Sequence, residues 1–183
     1  WKWTALQRLA VRMASAVICP NPIMANKLQL RYGAKIHHIP NWVDTEMFRP
    51  AERPARPAGT RPTVLYVGRL VKEKNLERLA KVCEANDWML RCIGDGPLRK
   101  WIELTGECFG ALPWDSLPNW HLMADVFCLP SYTEGQPKAL LEAMASGLPC
   151  AVSEGVTGID LPGTTFPPEN EGAMTSAIAS ALA

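Results

Sequence analysis

The sequence lacks any run of roughly 18 apolar residues, so no stretch of it reads as a membrane-spanning helix. It also lacks an excess of one charge. Its 19 Lys and Arg meet 18 Asp and Glu for a formal net charge of +1, which excludes a strongly basic nucleic-acid binder or an acidic tail by composition. Cysteine pairs are missing: Cys19, Cys83, Cys92, Cys108, Cys128 and Cys150 are widely spaced and form no C-x-x-C. Most lie in apolar runs such as Val126-Phe127-Cys128-Leu129, so small buried thiols of a reducing compartment are expected, not a zinc or disulfide framework. His37, His38 and His121 have no metal-ligand spacing, and at least one of the adjacent pair is expected to face solvent. No G-x-x-x-x-G-K-[ST] occurs, which excludes a P-loop NTPase. Gly94-Asp95-Gly96 has no third glycine, so a nicotinamide-type dinucleotide fingerprint is weakly supported. No two aspartates stand as D-x-D, which argues against a metal-bridged diphosphate site, and no nucleophile–base pair can be argued.

What is present is an ordinary globular composition, 48% apolar and 20% charged, in a length that fits one domain or one domain with part of a neighbour. The chain opens on Trp1, as expected of a piece of a longer protein, so the absence of a signal-peptide pattern decides nothing. Charge is unevenly spread. Residues 1–62 hold ten Lys/Arg against three acids, a balance of +7, and residues 63–183 hold nine against fifteen, a balance of −6. Beyond Lys100 the only remaining Lys or Arg is Lys138, so a phosphate ligand of the second part can be met chiefly by Arg69, Lys72, Lys74 and Lys138. Residues 51–62, rich in Pro, Ala and Arg with little apolar bulk, have a linker composition.

In the first segment Trp3, Leu6, Leu9, Ala10, Met13 and Val17 recur at helical spacing, with Lys2, Arg8 and Arg12 elsewhere on the surface. A membrane-surface helix is one reading. A helix packed on a sheet is favoured, because a strand over Ala16–Cys19 follows at once. Asn21-Pro22 predicts a capped helix running to Tyr32-Gly33, and Lys35–Ile39 reads as a strand. After the linker, strands at 63–67, 89–93, near Cys108-Phe109, at 126–129 and at 150–152 alternate with helices at 75–86, after Pro97, at 137–146 and at 171–182. This predicts an α/β fold, a Rossmann-like open parallel sheet with helices on both faces. Ligands of such sheets gather at the carboxyl ends of the strands, so the loops after Val67, Ile93 and Leu129 are expected to carry the chemistry.

Two constellations lie there. Gly68-Arg69-Leu70-Val71-Lys72-Glu73-Lys74 joins a glycine, which lets a ligand near the backbone, to cations suited to phosphate. A solvated loop with Glu73 and Glu77 as partners is the alternative. The second runs from Ser131 through Glu134-Gly135-Gln136-Pro137-Lys138-Ala139 to Glu142. Pro137 at the first turn of a helix leaves backbone N–H groups facing the strand ends, a place for an anion, with Lys138 beside it. Glu142 stands alone among apolar residues from Ala139 to Ala145. A buried carboxylate is costly unless hydrogen-bonded, and a ribose diol offers two donors; an exposed stripe is the alternative.

Glu134 and Glu142 form an E-x7-E pattern followed by Ala143-Met144-Ala145-Ser146-Gly147-Leu148-Pro149. Together with Gly68-Arg69-Leu70, Lys74, Gly94-Asp95-Gly96-Pro97, Ala124-Asp125-Val126 and Ile39-Pro40-Asn41-Trp42-Val43-Asp44, and by the order and spacing of these motifs along roughly residues 16–180, the chain resembles the retaining GT-B glycosyltransferases of family four, the group 1 glycosyl transferases. The resemblance implies half of a GT-B fold: residues 1–50 as the end of the N-terminal acceptor domain, 51–62 as linker, and 63–183 as the C-terminal nucleotide-sugar-binding domain. It implies a metal-independent retaining hexosyltransferase that needs no cofactor beyond its substrate, a UDP or GDP sugar. Carried over, Arg69 and Lys74 hold the diphosphate and stabilise the leaving nucleotide, with Gly68 beside them. Glu134 lies at the transferred sugar, so that Glu134, Arg69 and Lys74 form the catalytic set. Glu142 binds the ribose, the backbone of Gly135, Gln136, Pro137, Lys138 and Ala139 meets sugar and phosphate, and the loop at Ala111 and Leu112 receives the base.

The implied partners are the donor and a sugar or lipid-linked acceptor, with no nucleic acid. The implied place is the cytoplasm, with contact to a membrane surface left to the missing N-terminal domain. The piece alone is expected to be inactive. Four departures stand out: Gln136-Pro137 where many members have Phe-Gly, Trp42 in place of a glycine, most of the acceptor domain with its histidine, and the closing helix expected after Ala183. A GT-B sugar-nucleotide epimerase and a non-catalytic nucleotide-binding module remain as alternatives.

Overall fold

The computed structural model describes residues 5–33, 36–161 and 164–183. In chain order the first segment forms helix α1 (Ala5–Met13), strand β1 (Val17–Cys19), helix α2 (Pro22–Tyr32) and strand β2 (Ile36–His38). Asn21 caps α2 by accepting from the Met24 N–H, and Pro22 starts the helix where its missing N–H costs nothing. β1 and β2 pair in parallel as a two-stranded sheet. The expected packing of α1 on a sheet is not found. Leu6, Leu9 and Met13 are 77%, 54% and 76% exposed, and Val11 alone of its large apolar side chains is buried. Two paired strands offer too little apolar surface to cover a helix stripe as well as α2. Trp3, Lys2 and the start of the expected strand at Lys35 lie outside the described residues. His37 and His38 are both exposed.

Residues 51–62 have no regular secondary structure, as their composition predicts. Then follow β3 (Thr63–Val67), α3 (Leu76–Ala85), β4 (Met89–Ile93), α4 (Arg99–Thr105), β5 (Glu107–Cys108), α5 (Leu117–Leu122), β6 (Val126–Leu129), α6 (Lys138–Ala145), β7 (Cys150–Ser153), β8 (Thr164–Phe166) and α7 (Glu171–Leu182). The strands form one sheet in the order β5-β4-β3-β6-β7-β8, parallel at every pairing. This is the Rossmann-like open sheet the alternation predicts. β6 reads as an unbroken apolar run because all four of its residues are buried, as a central parallel strand requires. Leu76, Leu79 and Ala80 of α3 and Met174, Ala177 and Ile178 of α7 bury their stripes in the same core. Six cysteines are thiols, five of them buried; burial raises the Cys83 and Cys150 pKa to about 12, which keeps these thiols protonated and inert.

The strand order fixes where a ligand can sit. From β3 the chain moves outward to β4 and β5, and then returns to the other side for β6, β7 and β8. The connections leave β3 and β6 in opposite directions and open a crevice at their carboxyl ends. The helices described include none long and apolar enough to cross a membrane.

Candidate functional site

The crevice is bordered by the loop after β3, residues 68–75, and the loop after β6, residues 130–137. The backbone fixes these loops against each other. Tyr132 N–H donates to the Glu73 carbonyl at 3.0 Å, and Asn75 Nδ2 donates to the Pro130 carbonyl at 3.2 Å. A third loop, after β4, packs still closer. A Cβ on Gly94 would stand 1.9 Å from the Gly68 carbonyl oxygen, and Gly94 has φ +139°, so a side chain is excluded there by contact and by conformation. Tyr66, fully buried, donates its hydroxyl to the Arg69 carbonyl at 3.0 Å and holds the Arg69 backbone from below. Loops tied to one another in this way are positioned by the protein's own backbone bonds, which is the preorganisation electrostatic recognition needs.

Across the crevice the Lys74 ammonium forms an ion pair with Glu134, their side chains only 13% and 18% exposed. Ser131 Oγ donates to the same Glu134 oxygen at 3.3 Å. Lys74 and Glu134 are 60 residues apart in sequence, and the strand order alone brings them together. Arg69 is exposed and makes no ion pair among the described residues. Among the described residues no three His, Cys, Asp or Glu side chains gather as a metal site would require.

Glu142, on α6, is buried at 7% exposure, so the exposed-stripe alternative does not hold. One of its oxygens is met within the protein: the Trp114 indole Nε1–H donates to Glu142 Oε1 at 2.8 Å. Sequence reasoning missed Trp114, which lies just beyond the Ala111-Leu112 loop; three tryptophans in 101–120 gave no signal to single it out. Behind Glu142 stands a second missed residue. His121 is fully buried, its Nδ1 lies 3.0 Å from Ser146 Oγ, and that hydroxyl donates to the Glu142 carbonyl at 2.9 Å. Ser146 therefore accepts from His121 Nδ1–H, and Nε2 is a buried acceptor with no hydrogen-bond partner among the described residues. Burial first, and the nearby Arg53 charge second, push the His121 pKa down to about 4, so the ring is neutral near neutral pH.

The stretch 135–139 divides. Pro137, extended, precedes α6 and supplies no side-chain cap, so the first turn of α6 faces the crevice with its N–H groups uncapped by a side chain. Gln136 is turned to the first segment. Its side-chain oxygen accepts from the Asn41 N–H, and its carbonyl accepts from Asn41 Nδ2 at 2.6 Å. Lys138 Nζ lies 5.5 Å over the ring of Trp42, a cation–π contact on the same border. Asn21 Nδ2 donates to Thr157 O and Oγ1 at 3.1 and 3.0 Å, while Thr157 donates through N–H and Oγ1 to the Glu134 carbonyl, each at 3.1 Å. The first segment thus grips the two loops that hold Glu134. The two positions that depart from the pattern, Gln136 and Trp42, both lie on this border.

Residues 48–182 match the family described as Glycosyl transferases group 1. The chain is 29% identical over 178 residues to a GDP-mannose-dependent alpha-mannosyltransferase of Corynebacterium glutamicum, covering 87% of this chain and 42% of that protein. A sucrose-phosphate synthase from Thermosynechococcus elongatus superimposes with a TM-score of 0.76 at 24% identity, over 95% of this chain and 50% of that one. HepE of Anabaena, solved in complex with UDP, superimposes with a TM-score of 0.70 at 17% identity, over 99% of this chain and 62% of that one. The chain therefore spans half or less of the length of the first two of these proteins.

Proposed function

The chain belongs to the group 1 glycosyl transferases, and from that premise we propose that it is the donor-binding part of a retaining hexosyltransferase that takes its sugar from a UDP or GDP sugar. Residues 63–183 are the nucleotide-sugar domain, residues 1–50 the end of the acceptor domain, and 51–62 the linker between them. The observation that carries the reading is the Lys74–Glu134 pair, set across the crevice where β3 and β6 diverge. A cation and a carboxylate there meet the two charges of the reaction. Lys74 and the exposed Arg69 take the diphosphate and stabilise the departing nucleotide, so a metal ion is not needed. Glu134 faces the sugar, where positive charge develops at the anomeric carbon as the bond to phosphate breaks.

Donor binding makes Lys74 exchange or share its carboxylate partner for phosphate oxygens, and frees Glu134 toward the sugar. Gly68 lets the phosphate approach, the first turn of α6 from Lys138 to Ala139 adds backbone N–H groups, and Gly135 and Pro137 shape the sugar side. The ribose falls to Glu142 and the base to the loop at Ala111 and Leu112. Transfer also needs an acceptor, a sugar or a lipid-linked sugar, held on the far side of the cleft.

Calorimetric titration of the chain with UDP, GDP and ADP, with and without a chelator, tests this. One of the diphosphates is expected to bind equally well in chelator, with no sugar transferred to any acceptor by the chain alone. Absence of diphosphate binding, or a requirement for a divalent ion, contradicts the reading.

A further inference from the structure

A cavity of about 710 Å³ opens between linker residues 53–61 and the amino ends of β3, β4 and β6, where Thr63, Met89 and Asp125 line it. It lies at the opposite end of these strands from the crevice, and none of residues 68–75 or 130–137 borders it. A space of this size holds a small organic molecule. Its charge is one-sided: Arg53, Arg56, Arg61 and Arg91 face a single lining carboxylate, Asp125.

The four guanidinium groups are not equally engaged. Arg91 is closely paired, its Nε 2.6 Å from Glu107 Oε2. Arg56 reaches Asp125 Oδ1 only at 3.5 Å, and the other oxygen of that carboxylate accepts from the Thr63 N–H at 2.7 Å. Arg61 stands 3.7 Å from Asp87. With the Arg56 and Arg61 side chains 44% and 47% exposed, these two long pairs contribute little and exchange readily. Arg53 has no ion-pair partner among the described residues. Its Nη2 donates to the Gly147 carbonyl at 2.7 Å, and burial lowers its pKa against the pull of nearby Asp125. Three linker arginines therefore bring more donors and more charge to the cavity than the protein answers. The rest of the wall is apolar, from Met89 at the start of β4 to Met123 just after α5, and Met123 is 55% exposed. Methionine adapts its shape to an apolar or aromatic group.

We propose that this cavity is a second ligand site, for a free organic phosphate whose oxygens take Arg53, Arg56 and Arg61 and whose carbon skeleton lies on Met89 and Met123. The planar fork of arginine meets two phosphate oxygens at once, and phosphate supplies the negative charge that Arg53 lacks. Because the three arginines stand on the linker and the methionines on the sheet side, such a ligand fastens the linker to the six-stranded domain. The site uses none of the donor-site residues, so it stands or falls apart from the donor reading.

Methionine methyl resonances report the site directly, since Met89 and Met123 line the cavity while Met24 and Met174 do not. Titration of the chain with phenyl phosphate in about 0.15 M chloride is expected to move the Met89 and Met123 methyls to saturation and leave those of Met24 and Met174 in place. Inorganic phosphate is expected to bind about fivefold or more weakly, because it leaves the apolar wall uncovered. Arg56→Gln and Arg61→Gln together, both exposed on the linker, are expected to weaken phenyl phosphate about tenfold or more with the denaturation midpoint unchanged. Unmoved Met89 and Met123, shifts that never saturate, equal shifts at all four methyls, or undiminished binding by the folded double variant overturn the proposal. Equal affinity for the two phosphates overturns its organic half. Capture of the chain by phosphatidic acid vesicles without any response to phenyl phosphate would assign the arginines to a lipid headgroup and overturn the free-ligand site.

Discussion

The region up to Trp42 and the region from β3 onward treat the same kind of residue in opposite ways. In the first, Leu6, Leu9, Met13, Ile18, Ile23, Leu30 and Ile39 are all at least half exposed. In the second, Leu65, Leu76, Leu79, Leu90, Ile102 and Leu140 are sealed at 1% exposure or less. The difference is one of layers. The six-stranded sheet is wide enough to take helices against it, whereas two short parallel strands can cover little more than α2. What positions the first region is instead polar and local: Asn21 to Thr157, Asn41 to Gln136, and Trp42 beneath Lys138. One region supplies stability, and the other reaches across to the loops that carry Glu134.

The largest test of this contrast uses glycine. Gly94→Ala places a methyl against the Gly68 carbonyl inside the loop framework and is expected to cost about 3 kcal/mol or more, read as a collapse of the denaturation midpoint. Gly33, the left-handed cap of α2, has nothing within 4 Å of its missing Cβ, so Gly33→Ala is expected to cost about 1 kcal/mol from backbone strain alone. Similar losses at the two glycines would break the contrast.

Leucine to alanine comes next. Leu79→Ala empties part of the sealed core and is expected to cost about 3 kcal/mol, while Leu9→Ala in α1 stays within about 0.5 kcal/mol, both by urea denaturation.

The third test uses pH. Because burial holds His121 neutral with a pKa of about 4, the unfolded chain binds a proton below about 6.5 that the folded chain refuses. His121 therefore favours the folded state fully above about pH 6.5, and that contribution is lost as pH falls toward 4. Urea denaturation at pH 7 and pH 4.5 is expected to show the parent losing about 2–3 kcal/mol more than His121→Phe. Parallel losses would show that the ring does not stay neutral.

The smallest effect belongs to the border. Asn21→Ala removes the α2 cap and the bonds to Thr157, and is expected to cost about 1–2 kcal/mol while raising hydrogen exchange in residues 22–32.

The alternation of β3 through β7 with their helices was legible because each element is a run of one period, β6 being the plainest. β8 was not, since three residues, Thr164-Thr165-Phe166, carry a single buried side chain. Nor was α5, six residues of mixed polarity with a proline near the start. The α1 stripe was read correctly as helical and wrongly as covered, because periodicity records which side is apolar and not whether a partner exists. Among the candidate residues, Arg69 and Lys74 stood out as cations in the loop after β3 and Glu142 as a lone carboxylate in an apolar run, while Glu134 was named by the family resemblance. That Lys74 meets Glu134, that Trp114 meets Glu142 across 28 residues, and that Gln136 turns to Asn41 across 95 are consequences of strand order and loop packing that no local pattern contains.

The central claim is that the second region alone holds the nucleoside diphosphate. Hydrogen exchange of the whole chain, read by mass spectrometry with and without saturating UDP or GDP, measures it most directly. Slowed exchange is expected in residues 68–75, 110–116 and 131–142, with residues 5–33 unchanged. Protection concentrated in residues 5–33, or spread evenly over both regions, would contradict it.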